Sequence, residues 1–305
     1  MAPIASFVDS VSRFLFEEKA IRGTLVSLDS ACEDIVTQHP YPAVLRRALA
    51  ELLAASVLLA AALKFKGALI VQLQGAGPVR LLVVECDARL NLRATAQWTQ
   101  AAEALPASAS LSELAGDPAR SRLAIMLDPQ DGSPIYQGIV ALEASSIATL
   151  IEHYLSTSEQ IDSRMVLATE GTRVRGLLLQ RLPRAGADED DTWRRAAASI
   201  DLVDAAALLG APSVEALLTT HFHNDDVRVF APHTARFHCD CTKERVKNAL
   251  RMLGRDEIEG ILAEQGEVGV TCEFCNRAYT FDPDEARGLF RQDNATDALP
   301  NTVRH

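Results

Sequence analysis

Two close cysteine pairs, Cys239-Asp-Cys241 and Cys272-Glu-Phe-Cys275, crowd into positions 239–275 of a 305-residue chain that has only six cysteines. Ionised thiols are soft donors, and four of them fill a tetrahedron, so the expected chemistry is a four-thiolate zinc site. Thirty residues separate Cys241 from Cys272, against the roughly 15–20 of a common zinc ribbon. The spacer must therefore fold back on itself, and it carries the signals to do so. Thr242 can cap a helix over 243–253 that stops at Gly254, and Asp256 can cap another over 257–263 that ends near Gly266. Val268 and Val270, then residues 278–281, read as two strands around a Cys-x-x-Cys knuckle.

The Cys-x-Cys pair is the unusual part. Zinc holds its ligands as thiolates, the form that oxidants attack. Thiols two positions apart can join, but extended spacing puts their Cα atoms near the ~7 Å limit, so such a bridge needs backbone adjustment and should be easily reduced. The pattern admits a plain structural zinc and a redox-responsive one. His221, His223, His233 and His238 lie nearby, but four cysteines already complete a tetrahedron. Cys32 and Cys86 are isolated in apolar surroundings and read as core thiols. A unit of about 55 residues buries little apolar surface and needs a staple, which a metal supplies.

Upstream, the elements read as an α+β domain over 1–182, mostly antiparallel, with one long buried helix. That helix is expected over 43–66, with Pro42 near its start and Gly67 after its end. β-rich runs follow at 68–74, 79–86, 90–97, 122–127 and 135–142, then a helix at 146–155 and two strands at 165–169 and 173–182. Residues 184–191 read as a turn or loop with four consecutive acids, and helical patterns follow at 192–209 and 213–220. Between 182 and 235 nine Asp/Glu stand against four Lys/Arg, with Leu202, Leu208, Leu209, Leu217 and Leu218 as the apolar anchors. The expectation is a metastable helical linker over 183–235, marginal without a neighbour to pack on. A small zinc unit over 236–290 and a frayed tail over 291–305 complete the organisation.

Composition narrows the function. The chain is 48% hydrophobic and 23% charged, as globular proteins are, and its net charge is -11. That charge argues against a surface that tracks phosphates, and 236–305 alone carries ten Lys/Arg against thirteen Asp/Glu. The first residues lack the basic and apolar regions of a signal peptide. The most apolar run, 52–63, is far short of the ~20 residues a membrane span needs. A cytoplasmic protein with no membrane or nucleic-acid partner is expected. No Walker A, Gly-x-Ser-x-Gly or His-Glu-x-x-His pattern occurs, so neither an ATPase nor a hydrolase is expected. The alternatives are a zinc module that binds nucleic acid, and a thiol oxidoreductase built on Cys272-x-x-Cys275.

Several of these pieces together resemble the redox-regulated 33-kilodalton heat-shock chaperone family of bacteria. They are Cys239-Asp-Cys241-Thr-Lys-Glu-Arg245-Val, Cys272-Glu-Phe-Cys275 with Tyr279 and Phe281, Ser158-Glu-Gln-Ile161, Gly176-Leu-Leu-Leu-Gln-Arg-Leu-Pro183 and Ile21-Arg-Gly23. Where many members have Ser-Arg after the second cysteine, this chain has Thr242-Lys243, which keeps the hydroxyl and the charge. The resemblance implies a non-enzymatic, ATP-independent holdase. It implies one Zn²⁺ on Cys239, Cys241, Cys272 and Cys275 in the reduced monomer. Oxidants such as hypochlorous acid would then form Cys239–Cys241 and Cys272–Cys275 disulfides, release the zinc, and unfold the C-terminal unit and linker. The active form is expected to dimerise, to hold unfolding client proteins, and to pass them to ATP-dependent refolding chaperones.

Overall fold

The computed structural model describes residues 7–183 and 188–290. Contacts divide the chain into two compact units, Met1–His238 and Cys239–His305. The expected tail, 291–305, lies outside the described residues.

The first unit opens with β1 (Ser10–Phe16) and β2 (Ile21–Leu28), then α1 (Ser30–Val36) and α2 (Ala43–Ala62). A meander follows: β3 (Ala68–Gln74), β4 (Val79–Asp87) and β5 (Asn91–Trp98), then the short α3 (Leu111–Ala115), then β6 (Arg122–Asp128) and β7 (Tyr136–Ala141). After α4 (Ile147–Thr157) come β8 (Ser163–Glu170) and β9 (Arg173–Arg181). The remainder is α5 (Asp188–Ile200), α6 (Ala205–Gly210), α7 (Val214–His221) and three short strands, β10 (Val227–Val229), β11 (His233–Thr234) and β12 (Arg236–Phe237).

Two sheets result. The first runs β10-β1-β2-β9-β8, with β11 also on β1; the second runs β12-β5-β4-β3-β6-β7. Every pairing within them is antiparallel except β12 on β5. The α+β, mostly antiparallel class is therefore the observed one. Helix α2 touches strands of both sheets. It is buried nearly all round, from Val44 to Ala60, which is why its sequence shows no polar stripe. It stops at Ala62, short of the expected 66, because Leu63 turns extended.

The first sheet is buried on both faces. Along β9, Val174 and Leu178 join the core around α2, while Leu177 and Leu179 face an outer cluster. A strand covered on both sides reads as a continuous apolar run, and that explains Gly176-Leu-Leu-Leu. The outer cluster joins Phe14, Phe16, Ile21, Leu25, Leu177 and Leu179 to Trp193, Ile200, Leu208, Val214, Leu217 and Phe222. Gly23 permits this arrangement: a Cβ there would lie 2.1 Å from the Phe14 ring across the β1–β2 pair.

Several local expectations are corrected. Helix α5 begins at Asp188, where a loop was expected; the negative charges of Asp190 and Asp191 in its first turn suit the positive end of a helix. Asp204 then caps α6 through the Ala207 amide, so the expected single helix over 192–209 is two. Leu202, expected as an anchor, is 76% exposed in the turn between them. Trp193, Ile200, Val203, Val214 and Phe222 are buried anchors that a count of leucines overlooks. Three short strands, β10 to β12, occupy the run 227–237 in place of the end of a helical segment. Arg175, buried beneath α6, donates to the carbonyls of Leu208 and Ala211 at 3.0 and 2.7 Å, satisfying two C-terminal acceptors of that helix.

The second unit is small. It contains α8 (Lys243–Leu253), α9 (Arg255–Gln265), the hairpin β13 (Val268–Thr271) and β14 (Ala278–Phe281), and α10 (Pro283–Gly288). Thr242 caps α8 as expected, accepting from the Arg245 amide at 3.2 Å. Helix α9 starts at Arg255 with Gly254 at its cap, so Asp256 lies inside the first turn rather than capping it. The buried side chains are Leu250, Ile258, Leu262, Val268, Phe281, Ala286, Leu289 and Phe290. That is a thin core for a folded unit.

Candidate metal centre

Each cysteine pair is placed by a local device. Cys239 and Cys241 lie on the irregular stretch just before α8. Asp240 between them pairs with Arg245 at 2.5 Å, fixing that stretch against the first turn of the helix. Cys272 and Cys275 sit in the β13–β14 connection. The Cys272 amide donates to Arg277 O at 2.9 Å and the Asn276 amide to Cys272 O at 2.8 Å. Asn276 takes φ +55°, a left-handed conformation that Asn tolerates, and this closes the knuckle.

The fold-back brings all four sulfurs within 4.8 Å of one another. Cys239 Sγ and Cys272 Sγ are 3.8 Å apart, and Cys241 Sγ and Cys275 Sγ 3.2 Å. Four thiolates about 2.3 Å from a central zinc stand about 3.8 Å apart. The donor set and its spacing therefore suit a soft tetrahedral ion. Among the described residues no other group of three or more His, Cys, Asp or Glu comes together this way.

The thiols are unequal. Burial opposes ionisation of Cys241, but hydrogen bonds from the Tyr279 hydroxyl and from neighbouring thiols outweigh it and hold the group at about 7. The Tyr279 hydroxyl lies 3.2 Å from Cys241 Sγ and 3.0 Å from Cys241 O. Cys275 is pushed up to about 12, first by burial and then by its contact with Cys241. Cys239 is raised chiefly by burial. A depressed value means that Cys241 is ionised above about pH 7 while Cys275 keeps its proton. While the reduced unit keeps this fold, alkylation near neutral pH should therefore start at Cys241. Tyr279→Phe should move its pH midpoint upward, as mass spectrometry of the labelled peptides would record. An unmoved midpoint would remove Tyr279 from this role. Residue pattern alone did not single out Tyr279 as a thiolate partner; it stood out only with Phe281 among the residues of the family-like motif.

Cys32 and Cys86 are buried, as expected of core thiols. Burial pushes Cys32 up to about 12, aided by Asp9, Asp29 and Glu33, and pushes Cys86 up as well.

A family model described as Hsp33 protein matches residues 9–282. The chain belongs to the Hsp33 family. The 33 kDa chaperonin of Methylobacillus flagellatus is 43% identical to this Hsp33 chain over 299 residues, 97% of this chain and 99% of that one. That of Chromobacterium violaceum is 41% identical over 286 residues, 93% and 95% of the two chains. The crystal structure of the 33 kDa chaperonin, a heat shock protein 33 homolog, from Thermotoga maritima has the same fold. Its TM-score is 0.77 at 21% identity, covering 92% of this chain and 97% of that one. The family supports a chaperone function for this Hsp33 chain. No helix among its described residues is long and apolar enough to cross a membrane.

Proposed function

We propose that this chain is a cytoplasmic, ATP-independent holdase that oxidation switches on. In the reduced state Cys239, Cys241, Cys272 and Cys275 would bind one Zn²⁺, which supplies the cross-link that the thin core of the second unit lacks. The convergence of four sulfurs within 4.8 Å carries this reading. An oxidant such as hypochlorous acid takes two electrons from each pair. Two thiolates, one HOCl and one proton give a disulfide, chloride and water. The disulfides are assigned as Cys239–Cys241 and Cys272–Cys275. Sulfur in a disulfide is no longer a thiolate ligand, so zinc is lost and the unit that depended on it unfolds.

The domain assignment is a core over 1–182, a linker over 183–235 and a zinc unit over 236–290. The linker helices bury one face of the first sheet through Trp193, Ile200, Leu217 and Phe222. When they loosen, Phe14, Phe16, Ile21 and Leu177 are uncovered, and a contiguous apolar patch of this kind binds non-native chains. The net charge of -11 keeps such a form soluble. The active form is taken to be a dimer that releases clients to ATP-dependent refolding chaperones once reductant returns.

A zinc and free-thiol count before and after mild oxidation, run beside an aggregation assay, tests the reading. Loss of four thiols with one zinc, and aggregation suppression that reductant reverses, is the expected result. Zinc retained in an active, oxidised protein would sink it. Turnover of a model disulfide at substoichiometric protein would instead favour an oxidoreductase.

A further inference from the structure

The run 227–237 is a strap laid along the free edges of both sheets. Val227 and Val229 pair with Phe16 and Phe14, and Arg228 with Leu15. His233 and Thr234 pair with Val11 and Ser10. Main-chain bonds continue the ladder between and beyond these pairs: Glu17 N to Asp226 O at 2.8 Å, Phe230 N to Arg13 O and Ala235 N to Asp9 O, both at 2.9 Å. The strap then crosses to β5, where Arg236 N donates to Leu90 O and His238 N to Leu92 O. Its three strands are only three, two and two residues long. Short ladders open at little cost, and that is a property of segments that move. Beneath them β1 is a seven-residue strand whose exposed edge would be a template for any extended chain.

We propose that the β1 edge, once the strap has left it, captures clients by strand addition, and that β10 is an internal copy of what it captures. This rests on the holdase reading above. The ligand class is an extended stretch of non-native polypeptide with apolar residues at alternate positions and a basic residue between them. Val227 and Val229 supply the apolar pattern, packing half-buried against the cluster that contains Phe14 and Phe16. The opposite face supplies the charge: Arg228 Nε lies 2.6 Å from Glu17 Oε1. Main-chain bonds give affinity without reading sequence, and the pockets at alternate side chains add a mild preference. That combination suits a protein that must hold many different clients.

The test uses the full chain, reduced and oxidised, with two synthetic peptides as probes. One copies residues 225–231, and the other replaces its central arginine with glutamate. The oxidised chain should bind the copy about fivefold more tightly than the glutamate peptide, the scale of a cross-strand charge pair turned from attraction to repulsion. Glu17→Lys should reverse the order, and the reduced chain should bind neither. A photo-reactive residue in place of the second valine should cross-link to Phe14–Phe16 and their neighbours. Equal affinity for both peptides, cross-links only elsewhere, or occupation of β1 by the strap of a second copy would overturn the proposal. Aggregation suppression, measured on the same samples, separates the two ideas. An oxidised chain that holds clients but shows no peptide preference defeats strand addition alone; one that holds no clients defeats the holdase reading.

Discussion

Cys272→Ser should leave residues 239–290 unfolded in the reduced chain while the first unit keeps its own thermal transition. The second unit has eight buried apolar side chains among its described residues, and a core of that size does not sustain a fold unaided. A four-thiolate zinc supplies about 10–16 kcal/mol of apparent binding free energy in such units, and that energy is folding energy. Serine at Cys272 removes one donor and the partner that stands 3.8 Å from Cys239. Native-state hydrogen exchange is the direct measure: protection across α8 and α9 should disappear, and a strong chelator should do the same to the unsubstituted chain. Ligands must be deprotonated to bind, so acid should also favour metal loss. Protection that survives in both experiments would mean that the packing around Leu250, Ile258 and Phe281 is sufficient, and zinc would then have no structural role.

Phe222→Ala should give a chaperone that is active without oxidant. Phe222 is buried at the end of α7, edge-on to Phe16 with ring centroids 5.3 Å apart. Truncating a buried phenylalanine costs about 3–5 kcal/mol. Here the loss falls on the seam between the linker helices and the first sheet, so it should loosen α5 to α7 while the cysteine cluster stays intact. The expected protein retains one zinc and four reduced thiols, is cut rapidly by protease within residues 190–222, and suppresses aggregation. A variant that is cleaved there yet remains inactive would show that uncovering the apolar face is not what makes a holdase.

What the sequence disclosed follows from how each element is covered. Strands β3 to β7 are β-rich runs bounded by turn residues, and they were legible to within a residue or two. Helix α2 was legible from its apolar run and from Pro42 at its start, while its end at Ala62 falls short of the Gly67 bound. Strands β1 and β2 were not: they lie between two layers, and Ile21-Arg-Gly-Thr-Leu-Val-Ser-Leu28 carries no alternation that separates strand from helix. Helices α5 to α7 were read as weakly anchored because only leucines were counted, whereas Trp193, Val214 and Phe222 do much of the packing. The strap strands are too short to leave a periodic signal, and their partners lie 145 to 224 residues away. At the candidate metal centre the four cysteines that converge were legible as a group from their spacing. The inequality among them was not, because it arises from Tyr279 and from differences in burial that only the folded hairpin creates.

Cys32 and Cys86 bear on how faithfully the proposed switch would report an oxidant. Both are sealed in the core beside α2, and burial keeps both protonated at cellular pH. A protonated thiol out of contact with solvent reacts slowly with any oxidant. Dilute oxidant is therefore not squandered on bystander sulfurs, and it cannot stitch a core thiol to one of the four reactive ones and lock the chain in a dead-end bridge. Under the proposed switch the response would depend on four of the six sulfurs, and the tight packing around the other two would give such a sensor a low background and keep it reversible.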